Sequence, residues 1–132
     1  MKKVLVFGTF DGIHPGHLDF FRQAREHGDY LTVVVGRDET VRKIKGKYPK
    51  RNENERIQDL LSQDLVDEAI LGDLQNPYRV IEEIKPDVIC LGYDQNSFTK
   101  DLAKHLKQSG LDVEVRRMKP YEPEVYHSSK LN

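Results

Sequence analysis

The 132-residue chain lacks the features that would mark a disulfide-bonded, exported or membrane-spanning protein. Its one cysteine, Cys90, excludes an intramolecular disulfide. The first apolar run, "VLVF", is too short for the hydrophobic region of a signal peptide. No stretch approaches the roughly 20 consecutive apolar residues that a membrane span needs. We therefore expect a cytoplasmic protein without a membrane partner.

The chain also has no excess of charge of either sign. Lys and Arg number 21 and Asp and Glu number 22, which gives a net charge of −1 with histidine neutral. Such a balance provides no electrostatic reason to expect general binding of nucleic acid, so none is predicted. The length is that of one ordinary domain and is sufficient for a core of its own. We expect a single domain over residues 1–132.

What the sequence does have is a regular alternation of short apolar runs and longer amphipathic stretches. The alternation predicts strands at 3–8, 29–36, 66–72, 86–92 and 111–118, and helices at 15–28, 52–63, 76–85 and 97–110. The basic segment 37–51 is predicted to be a short helical turn followed by a loop. This order indicates an α/β fold, a Rossmann-like doubly wound sheet of about five parallel strands with helices on both faces. Ligands of such sheets bind at the carboxyl ends of the strands.

The loop after the first predicted strand carries the motif "GTFDGIHPGH", residues 8–17. Pro15 can begin a helix, whose free amides and positive dipole end suit an anion. Gly8 and Gly12 allow the backbone to approach a ligand closely. His14 and His17 are three residues apart and so lie on the same side of the first turn. Two imidazoles there could donate hydrogen bonds to phosphate oxygens and neutralise charge that develops during transfer.

Other interpretations of this motif stay open. His14 could be only a helix cap and His17 a half-buried residue of the core. The two histidines with Asp11 could be part of a zinc site, although such a set is incomplete. The loop is not a Walker A motif, because it lacks the spacing and the Lys-Ser/Thr ending. The combination of both histidines with Asp11, Pro15 and the glycines favours an anion site.

Three segments together resemble the cytidylyltransferase-like nucleotidyltransferases. "GTFDGIHPGH" resembles the His-x-Gly-His signature of that family, and "IKGKYPKRNENER", 44–56, resembles its Lys-Gly…Asn-Glu-Asn-Glu-Arg segment. "PDVICLGYDQN", 86–96, resembles the segment that carries the family's Gly-x-Asp. The resemblance covers nearly the whole chain, and it implies a Rossmann-like fold and a nucleotidyl transfer reaction.

The resemblance implies two overlapping sets of site residues. The catalytic set is His14, His17, Lys45 and Arg56. In it, Lys45 is a loop lysine that reaches the phosphates, and Arg56 is a helix-borne arginine that holds the triphosphate. The nucleotide-binding set is Gly8, Thr9, Phe10, Asp11, His14, His17, Gly92, Tyr93, Asp94, Ser128 and Ser129. From the residues alone, Lys45 could instead belong to a solvated basic loop and Arg56 could be an ordinary surface arginine. The tail "YEPEVYHSSKLN" departs from the family's Arg-Thr-x-Gly-Ile-Ser-Thr-Thr segment, because the arginine and glycine are absent.

Within the family, segments 36–49, 66–73 and 84–95 and the terminal "SSK", 128–130, look most like the archaeal FAD synthases. That likeness implies transfer of AMP from ATP to FMN with release of pyrophosphate, so ATP and FMN are the expected substrates. The alternative is a cytidylyltransferase that uses CTP and glycerol 3-phosphate, and a non-catalytic nucleotide-binding module ranks below both. Mg²⁺ or another divalent ion is expected to arrive with the triphosphate, without a dedicated set of protein ligands. Family resemblance also implies a homodimer.

Overall fold

A computed structural model describes residues 1–95 and 101–121 of the chain. The strands are β1 (Lys3–Gly8), β2 (Tyr30–Val35), β3 (Glu68–Leu71), β4 (Val88–Leu91) and β5 (Glu114–Arg117). The helices are α1 (Pro15–Arg25), α2 (Asp38–Lys45), α3 (Glu53–Leu61), α4 (Arg79–Ile84) and α5 (Leu102–Ser109). None of the helices in these two ranges has the length and apolar character needed to cross a membrane.

All five strands run parallel in one sheet, in the order β3-β2-β1-β4-β5. β1 and β2 pair along their whole length, from Lys3 opposite Tyr30 to Gly8 opposite Val35. β1 and β4 pair only near their beginnings, with Leu5 opposite Ile89 as the last pair. The chain order reverses between these two strands, and their carboxyl ends open into a cleft there. The predicted Rossmann-like sheet of five parallel strands is confirmed.

The alternation of side chains along the strands builds a core on each face of the sheet. On one face Val6, Val33 and Cys90 pack with residues of α1 and α3, such as Phe21 and Leu60. The other face packs against α4 and α5 through a second cluster that includes Leu5, Val34, Ile89, Ile81 and Leu106. Helices therefore cover both faces, as the alternating pattern predicts. The Cys90 thiol is fully buried, and burial is the main reason that its pKa rises to about 12.

Several elements are shorter or longer than predicted, and two of these differences show a physical reason. The predicted helical turn after β2 is a full eight-residue helix, α2, which ends at Gly46 in the left-handed conformation (φ 82°). The predicted helix 15–28 ends earlier, with Glu26 rather than Gly28 at its C-cap. Gly28 has another role, because a Cβ there would lie 2.8 Å from the Lys2 carbonyl oxygen and 2.5 Å from a methyl carbon of Val4. Its small size allows the turn before β2 to pack against β1.

Candidate active site

A cavity of about 690 Å³ lies where the carboxyl ends of β1 and β4 separate. It is bounded by the β1–α1 loop, the end of α2, the loop after β4 and the segment after β5. The residues that line it are Phe7, Gly8, Thr9, Phe10, His14, Gly16, His17, Phe20, Lys45, Gly92, Tyr93, Asp94, Gln95, Lys119, Pro120 and Tyr121. The segments that carry the predicted motifs thus meet around one space.

The β1–α1 loop is shaped around the ring of Phe10. Phe10 is only 6% exposed and has a positive φ of 54°, which is unusual for a residue other than glycine. A Cβ on Gly8 would lie 2.6 Å from two ring carbons of Phe10, so a glycine is required there. The ring contacts His17 edge-on, with a centroid distance of 5.1 Å, and also packs against Phe21. Phe10 therefore fixes the position of one histidine by packing.

His14 and His17 form a reciprocal hydrogen-bonded cap at the start of α1. The Gly16 N–H donates to Nδ1 of His14 (3.1 Å), and the His14 N–H donates to Nδ1 of His17 (3.3 Å). The two rings stack with centroids 3.6 Å apart. His14 therefore does cap the helix, as one of the alternative interpretations proposes. Since each Nδ1 accepts a backbone hydrogen, the single N–H of each uncharged ring is at Nε2. In His14 this N–H is the donor that the ring can offer to a ligand, whereas His17 already hydrogen-bonds to the Gly12 carbonyl.

Gly16 makes room for this arrangement. A Cβ at Gly16 would lie 2.9 Å from Cε1 of His14, closer than such atoms approach in folded proteins. The glycine therefore lets the His14 ring lie over the first turn of α1. This is a steric reason for the Gly in "HPGH", which the sequence motif alone does not reveal.

The pKa of His17 falls to about 4, mainly because the ring is buried and also because His14 lies beside it. A hydrogen bond with the Gly12 carbonyl acts in the opposite direction without offsetting these effects. At neutral pH His17 is therefore an uncharged donor. The sequence predicts that these histidines donate hydrogen bonds and neutralise negative charge. For His17 in the protein without a ligand, the low pKa agrees with hydrogen-bond donation and not with a positive charge.

Asp11 does not line the cavity but joins two loops. Its carboxylate accepts hydrogen bonds from the backbone N–H groups of Lys50 and Arg51, both at 2.9 Å. These bonds, led by the one from Lys50, hold the pKa of Asp11 below its ordinary value. Asp11 thereby ties the histidine loop to the segment that follows α2. No group of three His, Cys, Asp or Glu side chains suited to a metal ion occurs in residues 1–95 and 101–121, so the zinc interpretation gains no support.

Lys45 and Arg56, the two predicted basic catalytic residues, occupy different environments. Lys45 is the last residue of α2 and lines the cavity. Arg56 is fully buried in α3, and its guanidinium donates to three groups on neighbouring segments. The acceptors are the Thr9 carbonyl (2.9 Å), the Arg51 carbonyl (3.0 Å) and the Asp38 carboxylate (2.8 Å). Arg56 is therefore not a surface arginine, and in this position it lies behind the loop and not on the cavity wall.

The loop after β4 brings Gly92, Tyr93 and Asp94 to the cavity, as the third motif predicts. Tyr93 is 57% exposed, so its ring stands largely in solvent. Two residues outside the predicted site hold this loop. Gln95 hydrogen-bonds to the Gly92 N–H, and Arg117 of β5 donates to the Gly92 carbonyl. Neither contact has a signature in the local sequence.

The site residues predicted from the motifs do not include the wall that follows β5. Lys119, Pro120 and Tyr121 line the cavity together with Phe20 of α1. Gln23 of α1 fixes this segment, because its side-chain amide donates to the Lys119 carbonyl (3.0 Å) and its oxygen accepts the Lys119 N–H (2.9 Å). The predicted residues Ser128 and Ser129, which follow this wall in the chain, lie outside the described residues.

Of the predicted site residues, the structure thus brings together Gly8, Thr9, Phe10, His14, His17, Lys45, Gly92, Tyr93 and Asp94 around the cavity. It places Asp11 and Arg56 in supporting positions behind it. The arrangement offers an uncharged imidazole, a lysine and the start of a helix on one wall, and a loop of fixed backbone on another. These groups are suited to a ligand that carries both phosphates and a ring system.

Comparison with known proteins agrees with this chemistry. Residues 5–131 match the protein family described as cytidylyltransferase-like. The chain is 42% identical over 132 residues to the FAD synthase of Ferroglobus placidus, which covers 99% of this chain and 86% of the relative. It is 43% identical over 121 residues to the FAD synthase of Aciduliprofundum boonei, with 92% of this chain and 80% of the relative covered.

Solved structures show the same fold. A protein of Thermoplasma volcanium, described as a lipopolysaccharide core biosynthesis protein, superposes with a TM-score of 0.87 at 37% identity. That match covers 92% of this chain and 99% of the other. The pantoate-beta-alanine ligase of Francisella tularensis superposes with a TM-score of 0.64 at 16% identity, over 92% of this chain and 60% of the other. At that identity the likeness extends to the fold alone.

Proposed function

The chain belongs to the cytidylyltransferase-like family, and from that premise we propose that it is a nucleotidyltransferase that transfers AMP from ATP to FMN, giving FAD and pyrophosphate. The predicted activity agrees with the names of its relatives, since five proteins at 40–43% identity are named FAD synthase. The single structural observation that carries the proposal is the stacked pair of His14 and His17 on the cavity wall.

In the proposed reaction a phosphate oxygen of FMN attacks the α-phosphorus of ATP. A new bond forms between this oxygen and the α-phosphorus, while the bond from the α-phosphorus to the α–β bridging oxygen breaks. The bridging oxygen keeps the electron pair and leaves as part of pyrophosphate. No protein nucleophile is required, because the acceptor supplies the attacking oxygen. The task of the protein is to align two anions and to place donors where negative charge grows.

The proposed roles of the wall residues follow from their positions. Nε2–H of His14 donates to oxygens around the α-phosphorus, and His17 does the same when its N–H exchanges the Gly12 carbonyl for a phosphate oxygen. Lys45 contributes positive charge to the same phosphates. Before substrates bind, His17 is uncharged, because its pKa of about 4 keeps it neutral at physiological pH. It can therefore donate a hydrogen bond to phosphate, and burial of the neutral ring avoids the free-energy cost of burying a positive charge.

Asp11 and Arg56 are proposed as positioning residues. Asp11 fixes the backbone of residues 50–51, and Arg56 joins that segment to the Thr9 carbonyl and to Asp38. Together they hold the β1–α1 loop against the starts of α2 and α3. The geometry thus favours an indirect role for Arg56 over the direct contact with triphosphate that the family resemblance implies.

A divalent metal ion fits this site as part of the incoming triphosphate. Mg²⁺ usually keeps several waters and takes few protein ligands when it is bound to nucleotide phosphates. The described cavity wall carries one carboxylate, that of Asp94, so phosphates and water would supply most of the ligands. Bound in this way, the ion would neutralise phosphate charge. The homodimer and the cytoplasmic location stay predictions.

A substrate panel tests the proposed function. Purified protein with Mg²⁺ is given ATP or CTP, each combined with FMN, glycerol 3-phosphate or phosphopantetheine, and pyrophosphate and the nucleotidyl product are measured. ATP with FMN should give FAD at the highest rate. Preference for CTP with glycerol 3-phosphate would transfer the assignment to the alternative activity. Binding of ATP without pyrophosphate release from any pair would indicate the non-catalytic module.

A further inference from the structure

The side chain of Gln95 bridges the cleft between β1 and β4. Beyond the pair Leu5 and Ile89 the two strands no longer pair with each other. There the carboxamide of Gln95 accepts the Gly92 N–H through Oε1 (2.8 Å) and donates through Nε2 to the Phe7 carbonyl (3.0 Å). Gln95 thus replaces a missing rung of the sheet. It satisfies one backbone group from each strand at the point where the cavity begins.

The same loop is held from its other side by Arg117. Nη1 of this β5 residue lies 2.8 Å from the Gly92 carbonyl oxygen, 2.9 Å from that of Gln95 and 3.3 Å from that of Tyr93. Three carbonyls of one short loop therefore converge on a single guanidinium nitrogen. A hydrogen bond to a charged donor is stronger than one between neutral groups, so this contact opposes rearrangement of the loop.

Because the groups that suit phosphates, the two histidines and Lys45, stand on another wall of the cavity, we propose that Gln95 and Arg117 are positioning residues that hold residues 92–95 as a preformed rim for the nucleotide base. They thereby set the discrimination among nucleoside triphosphates. This inference rests on the proposed function. A loop that is already ordered pays less conformational entropy when the base binds. A rim of fixed polar groups also rejects bases whose donors and acceptors do not match, because mismatched groups stay unpaired.

The first variant removes the bridge without adding charge. Gln95→Met keeps approximately the length of the side chain but can neither accept from Gly92 nor donate to Phe7. We expect ATP to bind about tenfold more weakly, since losing a net hydrogen bond changes an equilibrium constant by roughly that factor or less. The ratio by which the variant prefers ATP over CTP and GTP should also be smaller than in the unaltered protein. Inorganic tripolyphosphate, which has no base, should bind as it does to the unaltered protein.

The second variant tests the outer contact and has a matched control on the same strand. Arg117→Gln removes the donor to the loop carbonyls, whereas Arg116→Gln removes an equal charge from β5. Arg116 pairs with Glu114 and is not among the residues that line the cavity. Only the Arg117 variant should weaken ATP binding and base discrimination. If Gln95→Met fails to fold, Arg117→Gln still tests the proposal, because Arg117 is an exposed residue of an edge strand.

Isothermal titration with ATP, CTP, GTP and tripolyphosphate gives the four dissociation constants for each protein. Hydrogen exchange at the Gly92 amide, which should quicken in Gln95→Met, reports whether the bridge was broken. Unchanged ATP binding and unchanged discrimination in both variants would overturn the inference. So would tighter ATP binding, which would mean that Gln95 blocks the base subsite, or an equal loss for tripolyphosphate. If the unaltered protein binds neither ATP nor tripolyphosphate, the proposed function itself is wrong.

Discussion

Helices α1 and α3 begin with the same reciprocal cap but build it from different side chains. At α3, Asn52 and Glu55 exchange hydrogen bonds with each other's backbone N–H groups at 2.8 and 2.9 Å. This is the usual pairing of a short polar cap with an acidic residue in the first turn. At α1, His14 and His17 take the same two positions, and Nδ1 of His14 accepts the N–H of Gly16 at the second helical position. Both helix starts therefore satisfy free backbone N–H groups with a reciprocal pair of side chains.

The two starts differ in charge. The first turn of α3 contains Glu53 and Glu55, whose carboxylates offset the positive end of the helix dipole. The first turn of α1 contains no acidic residue. Its positive end faces the cavity beside two imidazoles, of which His17 is uncharged near neutral pH. A carboxylate at either histidine position would repel a phosphate, so the choice of histidine preserves both the cap and an anion site.

The largest expected effect comes from replacing the histidines while the cap is kept. Asn is a preferred N-cap and Gln serves at the third helical position, so His14→Asn and His17→Gln can each retain the backbone hydrogen bonds. We expect turnover to fall by roughly 100- to 1000-fold in each, the typical cost of losing one donor to transition-state charge. Pyrophosphate release and thermal unfolding are measured on the same samples. Near-normal turnover with a preserved melting temperature would reduce that histidine to a cap.

The next largest effect is expected at Arg56, where α3 meets the histidine loop. Arg56→Met leaves the Asp38 carboxylate and two backbone carbonyls without their partner, and we expect a loss of about 3 kcal/mol in the free energy of unfolding. Urea unfolding monitored by circular dichroism measures this loss. Arg51→Met is the control, because the Arg51 side chain is 43% exposed and its loss should cost no more than about 1 kcal/mol. Equal losses of unfolding free energy in the two variants would contradict the expectation that the buried arginine contributes more to stability than the exposed one.

A smaller effect is expected for the cap of α3. Asn52→Ala removes the acceptor for the Glu55 N–H and should lower the free energy of unfolding by about 1 kcal/mol. Turnover of the folded protein should be unchanged, because Asn52 does not line the cavity. Asn52→Asp retains the cap and serves as the control for stability. A drop in turnover comparable to that of the histidine variants would show that the two helix starts are not functionally distinct.

An effect of another kind is expected in the pH dependence of stability. His17 titrates near pH 4 in the folded protein and near its ordinary value of 6.5 when unfolded. Between these values the unfolded chain binds more protons, so the free energy of unfolding falls as pH drops from 6.5 to 4. His17→Gln should lose less stability across that window. Carboxylates with lowered pKa, such as Asp11, contribute equally to both proteins and cancel in the difference. Parallel curves would indicate that His17 is not buried as described.

Local patterns predicted most of the fold and the inner part of the site. Strands and helices follow from apolar periodicity, and Pro15 marks the start of α1 because its ring suits a first helical position. Parallel strands then bring their carboxyl ends to one edge, so the loops of the three motifs had to meet there. The cavity wall from Gly8 to His17 and from Gly92 to Asp94 agrees with that reasoning.

The supporting residues could not be predicted, because their partners are distant in the sequence. Gln95 bonds to a carbonyl 88 positions away, and Gln23 bonds to Lys119, 96 positions away. Arginine is a residue type that usually lies at the protein surface, and only the tertiary structure reveals that Arg56 is fully buried. Such contacts depend on which loops the sheet brings together, and no local spacing encodes them.

The burial of Cys90 has a consequence for how the molecule tolerates its chemical surroundings. The thiolate is the reactive form of cysteine, and a thiol with a pKa of about 12 is almost entirely protonated at neutral pH. The side chain is also closed off from solvent between the sheet and its helices. The single thiol of the chain is therefore unreactive toward oxidants, alkylating agents and thiophilic metals. A cysteine introduced at an exposed position would react alone, without a competing native thiol.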